Sequence, residues 1–168
     1  SAVELSNNLS VKGEGEFWDN TLRLIKDINK TVDTLTERGN TRSVIFSALA
    51  NLAAASIPGV VGENKVERAI GLLQQRGTRL YEISETHGMG TFQRADILSE
   101  LIIVNKIMAH AYRMIKQTDS AMGREKMATD YRAELDWPGY DESCRHYCET
   151  LSSETIGLPA VKKFLNRE

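Results

Sequence analysis

Residues 91–116 read TFQRADILSELIIVNKIMAHAYRMIK. Their middle, residues 97–104, is apolar at every position except Ser99 and Glu100. A helix on a protein surface has one apolar stripe, whereas a helix that is apolar on all sides is enclosed by other helices. The segment therefore predicts a buried central helix, and Thr91 is suited to be its N-cap.

Apolar residues spaced three and four apart predict further helices on both sides of this centre. The expected helices cover about residues 16–38, 41–56, 64–86, 120–135 and 141–152, with a last short helix from near Pro159. In the fifth helix the expected inner face is Met122, Met127, Tyr131 and Leu135.

These helices predict an all-α protein, a compact bundle of about six helices around the central one at about 91–116. We expect the first, third and central helices to build most of the core, with the alanine-rich second helix packed closely among them. Residues 1–15 are rich in Ser, Asn and Gly and lack a sustained period. We predict a flexible N-terminal arm there, followed by a single helical domain over residues 16–168.

The net charge of −2 gives the whole chain no attraction to phosphate or to an anionic membrane surface. The basic residues are scattered along the sequence, so we expect no binding of nucleic acid. Cys144 and Cys148 are too few for a disulfide framework, and residues four apart in a helix are poorly placed for a disulfide. We expect buried thiols and a soluble protein of the cytoplasm or another reducing compartment.

The sequence between Arg42 and Glu63 contains no charged residue. Pro58-Gly59 interrupts this segment before a helix could cross the hydrocarbon core of a bilayer, which takes about 20 residues. We interpret it as a short buried helix. The alternative is a membrane-active or toxin-like bundle that conceals the apolar residues 43–61 until a trigger exposes them.

Two carboxylate pairs suggest another alternative. Their spacing places Glu82 with Glu85, and Asp96 with Glu100, on shared helix faces, and His87 follows in a glycine-flanked loop. Carboxylates of this kind bind divalent cations, so the alternative function is a small metal-dependent all-α hydrolase, similar to a nucleotide pyrophosphohydrolase. Acidic residues near helix ends are, however, also typical of ordinary exposed turns.

No nucleophile motif, catalytic residue or cofactor fingerprint is recognisable, so we expect a non-enzymatic protein without a cofactor. Asn105 occupies an inward position on the central helix, where it either fixes an oligomeric register or bonds to a neighbouring carbonyl. Trp137 and Tyr140 flank a Pro-Gly turn that either anchors a partner or folds over the end of the bundle. The expected function is an interaction or regulatory module whose helix faces contact a protein partner or a second copy.

Overall fold

The chain forms six α-helices in the part that the structure describes. This computed structural model describes the backbone of residues 2–39, 42–57, 59–60 and 62–157, and the side chains of residues 15–39, 42–57, 59–60 and 62–150. The helices are α1 (Ala2–Glu37), α2 (Val44–Ala55), α3 (Glu63–Ser84), α4 (Phe92–Met114), α5 (Thr118–Leu135) and α6 (Glu142–Gly157). The predicted all-α class is therefore confirmed, while the helix expected near Pro159 lies outside the described residues.

Helix α4 is the centre of the bundle, as its sequence predicts. It contacts α2, α3, α5 and α6, and every side chain from 98 to 105 is buried. Thr91 caps it, because its hydroxyl oxygen accepts a hydrogen bond from the backbone N–H of Arg94 at 3.3 Å. The continuous apolar run thus corresponds to burial on all sides.

Helix α5 packs along α4 through small residues. Its buried positions are Ala121, Ala128 and Leu135, which repeat every seven residues and so share one face. Of the inner face expected for this helix, Leu135 is buried and Tyr131 packs half-buried against the main core, whereas the prediction is wrong for Met122 and Met127, which are exposed. Alanine side chains let two helix backbones approach closely. The two alanines, rather than the larger methionines, therefore face α4.

The side chains of α1 that the structure describes, from residue 15 onward, do not belong to the main core, contrary to expectation. Helix α1 packs mainly against α2, where a small apolar cluster of Ile25, Ala50, Ala54 and Ile57 forms. Helix α2 contributes Ala48 and Leu52 to the main core from its other face. The alanines on both faces of α2 therefore place it between α1 and the rest of the bundle.

The predicted N-terminal arm coincides with the beginning of α1. This helix starts at Ala2 and crosses residue 15 without a break, whereas the sequence predicted a helix from about residue 16. The side chains of residues 1–14 lie outside the described part of the chain, so the arm and its flexibility stay a prediction.

The alanine-rich helix is short and mostly buried, although its Phe46 is exposed. Helix α2 has 12 residues, and its Ala48, Leu52 and Ala54 have no exposed surface. Among the residues that the structure describes, no helix combines the length and the hydrophobicity needed to cross a membrane.

Helix α6 packs on α4 through two thiols. Cys144 and Cys148 are both buried and free, as their spacing predicted. Burial raises the pKa of both thiols, and that of Cys148 reaches about 12. They therefore act as small apolar side chains in the main core.

We expect the destabilisation caused by Cys148→Ala to shrink between about pH 9 and pH 10.5. The unfolded thiol ionises near its ordinary pKa of 9.0, whereas the folded thiol stays protonated until about pH 12. Its contribution to stability is therefore complete below about pH 9 and is lost as the pH rises towards 12. Urea unfolding of both proteins at each pH measures the difference.

Val104→Ala is the matched control for this experiment, because it truncates a buried side chain that does not titrate. Its cost should stay constant across the same pH range. A cost of Cys148→Ala that is equally constant would contradict the raised pKa of the buried thiol.

Candidate protein-interaction surface

Two loops meet at one end of the bundle, between α3 and α4 and between α5 and α6. Gly90 has a φ of +85°, which favours glycine. A Cβ at Gly90 would lie 2.8 Å from the carbonyl oxygen of Gly139 and 3.3 Å from the Trp137 ring. A larger residue at position 90 would therefore push the two loops apart.

Tyr140 anchors the second loop in the main core. Its side chain is buried, and burial raises its pKa. The ring centroids of Trp137 and Tyr140 lie 6.0 Å apart at an interplanar angle of 86°, an edge-to-face contact. Of the two aromatic residues in this turn, Tyr140 folds over the bundle and Trp137 faces outward.

Trp137 is accompanied by three other large apolar side chains at this end. We call Met89, Phe92, Trp137 and Tyr147 the aromatic end; each is between 45% and 53% exposed. The rings of Phe92 and Tyr147 have their centroids 5.0 Å apart. Gly90 lies between Met89 and Phe92 in the chain, and a Cβ at this position would be 3.3 Å from the Trp137 ring, so the first loop runs close to the second.

Arg94 holds the loop before α4 in place. Its guanidinium pairs with Glu134 of α5 at 2.8 Å and donates to the backbone oxygens of Ser84 at 2.9 Å and His87 at 3.3 Å. The ends of α3 and α5 are thereby tied to the start of α4. These contacts of Arg94 therefore hold the backbone next to the aromatic end.

The two loops of the aromatic end are acidic. Their exposed charged side chains, at residues 85–93 and 136–142, are all carboxylates: Glu85, Asp136, Asp141 and Glu142. On α6, the half-buried Arg145 and the exposed His146 lie next to Tyr147. The hydroxyl and the backbone N–H of Ser143 donate to Asp141, which lowers the pKa of this carboxyl. The two loops therefore present negative charge beside Met89, Phe92 and Trp137.

Asn105 is buried on α4, at the bottom of a groove between α3, α4 and α5. Its buried side-chain amide donates to the carbonyl oxygen of Leu101 at 2.8 Å, and its oxygen faces Arg124 at 3.4 Å. This is the carbonyl-bonded arrangement, one of the two that the sequence left open. The hydrogen bonds of Asn105 are thus made within one chain.

Asp96 and Glu100, two residues of the hypothetical metal site, are paired with arginines. Asp96 accepts from Arg42 at 2.9 Å. Glu100 accepts from Nε of Arg76 at 2.9 Å and from its Nη2 at 3.0 Å. Positive side chains therefore occupy the positions around these carboxylates that a cation would need.

The other hypothetical metal ligands do not join them. Glu82 pairs with Arg79 at 3.3 Å on the surface, Glu85 is exposed, and His87 is half-buried. Within the described residues, no three His, Cys, Asp or Glu side chains converge in the way that a metal site requires. The five residues predicted for a metal-dependent hydrolase are thus not assembled into one site.

Comparison with known proteins gives no further guidance. The chain matches no protein-family model, and neither a curated protein nor a solved structure is similar to it. A function for the aromatic end must therefore be inferred from its own geometry.

Proposed function

We propose that the chain is a non-enzymatic interaction or regulatory module that binds a protein partner through the aromatic end. The observation that supports this proposal is the half-exposed group of Met89, Phe92, Trp137 and Tyr147 around two anchored loops. Aromatic residues and methionine are enriched in protein interfaces, and tryptophan and tyrosine are frequent binding hot spots.

The residues beneath this surface favour binding because their side chains are already held in place before a partner arrives. Tyr140 is already buried, and Arg94 already bonds to two backbone carbonyls and to Glu134. A preorganised surface loses less conformational entropy on association, so more of the contact energy contributes to affinity.

The acidic surroundings favour a foreign partner over a second copy. A two-fold dimer through the aromatic end would place Asp136, Asp141 and Glu142 near the same residues of the other copy, at an electrostatic cost. The complementary partner presents apolar side chains flanked by lysine or arginine. Because Cys144 and Cys148 are free thiols, we propose the cytoplasm or another reducing compartment as the place of this interaction.

Selection of binders from a random peptide library tests the proposal. We expect enriched peptides to combine an aromatic or aliphatic residue with neighbouring lysines or arginines. Trp137→Ala should weaken their binding by at least about thirtyfold, the effect of a hot spot worth roughly 2 kcal/mol. Fluorescence anisotropy with a labelled peptide measures the dissociation constant, and circular dichroism checks that the variant is folded.

Met122→Ala is the matched control, because Met122 is also large, apolar and exposed but lies at the start of α5. It should bind the selected peptides as tightly as the original chain. Light scattering should give a mass near 18.8 kDa at every concentration. Peptides that bind the Trp137→Ala variant equally well, or a dimer that Trp137→Ala dissociates, would contradict a foreign partner at the aromatic end.

A further inference from the structure

A basic trough lies between α1 and α3, on a side of the chain that the proposed function does not use. Lys26 and Lys30 of α1 face Lys65 and Arg68 of α3 across a concavity of about 550 Å³. Helix α2 lies between the two and contributes Asn51 to the lining. Five of the twelve residues of α2 are alanine, and the helix packs against both neighbours, so it lies at the bottom of this open concavity.

We propose that this basic trough binds a small anion that carries two or more phosphate groups. Four cationic side chains line it, against a single lining carboxylate, Asp33. In the part of the chain that the structure describes, none of the four cations forms an ion pair. Their charge is therefore available to a ligand.

A network of amides adds a donor to the same trough. The side-chain oxygen of Asn29 accepts from the hydroxyl of Ser47 at 2.7 Å and from the amide of Asn51 at 3.4 Å. Asn51 is itself buried and donates to the carbonyl oxygen of Ser47 at 2.8 Å. The oxygen of Asn29 is thus directed at α2. Asn29 also lines the trough, and no described residue accepts a hydrogen bond from its NH₂ group.

The size and charge of the trough indicate a small molecule. Pockets for small ligands have volumes of roughly 300–1,000 Å³, a range that includes this one. A nucleic acid requires an extended basic surface, whereas this chain has a net charge of −2 and only a local group of cations. A compact anion with several phosphates can contact all four cations at once and form charge-assisted hydrogen bonds with them.

Titration calorimetry with inorganic tripolyphosphate at low ionic strength tests the inference. We expect saturable binding with one site, and Lys65→Gln/Arg68→Gln should weaken it by at least about tenfold because two charge-assisted contacts are lost. Lys26→Gln/Lys30→Gln should have the same effect. Asp33→Asn should tighten binding by about threefold, since it removes a nearby like charge.

Lys126→Gln/Arg132→Gln is the matched control, because it removes two exposed cations from α5, remote from the trough. It should bind tripolyphosphate as the original chain does. Three results would overturn the inference: no saturable binding, equal weakening by the control variant, or unchanged affinity in Asp33→Asn. So would an oligonucleotide that binds more tightly than tripolyphosphate and loses affinity in the same trough variants.

Two further probes distinguish the source of the phosphate groups. One is a soluble inositol polyphosphate, and the other is a phosphatidylcholine vesicle that carries the same headgroup on a lipid. Binding of both, lost in Lys65→Gln/Arg68→Gln, supports a lipid headgroup as the ligand. Binding of the soluble molecule alone supports a free phosphorylated metabolite.

Discussion

Leu101→Ala is expected to lower the free energy of unfolding by about 2–5 kcal/mol, the range for a leucine removed from a packed core. Leu101 is 1% exposed and belongs to the main core on α4. The cost combines lost burial with the cavity that remains when the surroundings relax only in part. Urea unfolding followed by circular dichroism measures the change.

Leu98→Ala is the informative comparison, since Leu98 is equally buried on the same helix. Leu101 also lines a groove of about 290 Å³ between α3, α4 and α5, whereas Leu98 does not. Water or neighbouring side chains can fill part of the space left by Leu101, so Leu98→Ala should cost at least as much. Leu24→Ala, at an exposed position on α1, should change stability by less than about 0.5 kcal/mol. An unchanged stability of Leu101→Ala would show that α4 is not the centre of the bundle.

The fold was predictable where a long segment consists almost entirely of apolar residues. The apolar run of α4 identified a central helix because burial on all sides is the only stable environment for it. The cap at Thr91 and the turn at residues 136–140 followed from local rules, since a hydroxyl before a helix and a Pro-Gly pair act through their own backbone.

The arrangement of α1 was not predictable from its own pattern. Its apolar stripe indicates that one face is covered, but not which helix covers it. The structure pairs it with α2, because the alanine-rich helix presents apolar surface on two sides. Hydrophobic periodicity defines a face, whereas the choice of neighbour depends on the geometry of the whole bundle.

The candidate site illustrates the same limit. Trp137 was identified from its turn, but Phe92 and Tyr147 were missed because they are far from it in sequence. Only the packing of α6 on α4 brings their rings to 5.0 Å. The trough is a similar case, since its lysines on α1 and its cations on α3 looked scattered along the chain.

Loss of either partner of the ion pair between Arg76 and Glu100 is expected to cost about 3–5 kcal/mol, because the remaining charge is left buried. The two residues are 8% and 7% exposed and form a bidentate pair at 2.9 and 3.0 Å between α3 and α4. Glu100→Leu should be the more damaging change, since it removes the carboxylate that both guanidinium contacts of Arg76 reach. After Arg76→Met, the carboxylate of Glu100 still has Arg42 at 3.6 Å.

The double variant Arg76→Met/Glu100→Leu distinguishes the net contribution of the ion pair to stability from the cost of removing one partner alone. Replacing both charges by apolar side chains of similar volume often leaves stability unchanged or raises it. We expect the double variant to be more stable than either single variant in urea unfolding. That result would mean that the ion pair fixes the relative orientation of α3 and α4 rather than adding net stability. If the loss in the double variant instead equalled the sum of the two single losses, the two residues would contribute independently and the prediction would be wrong.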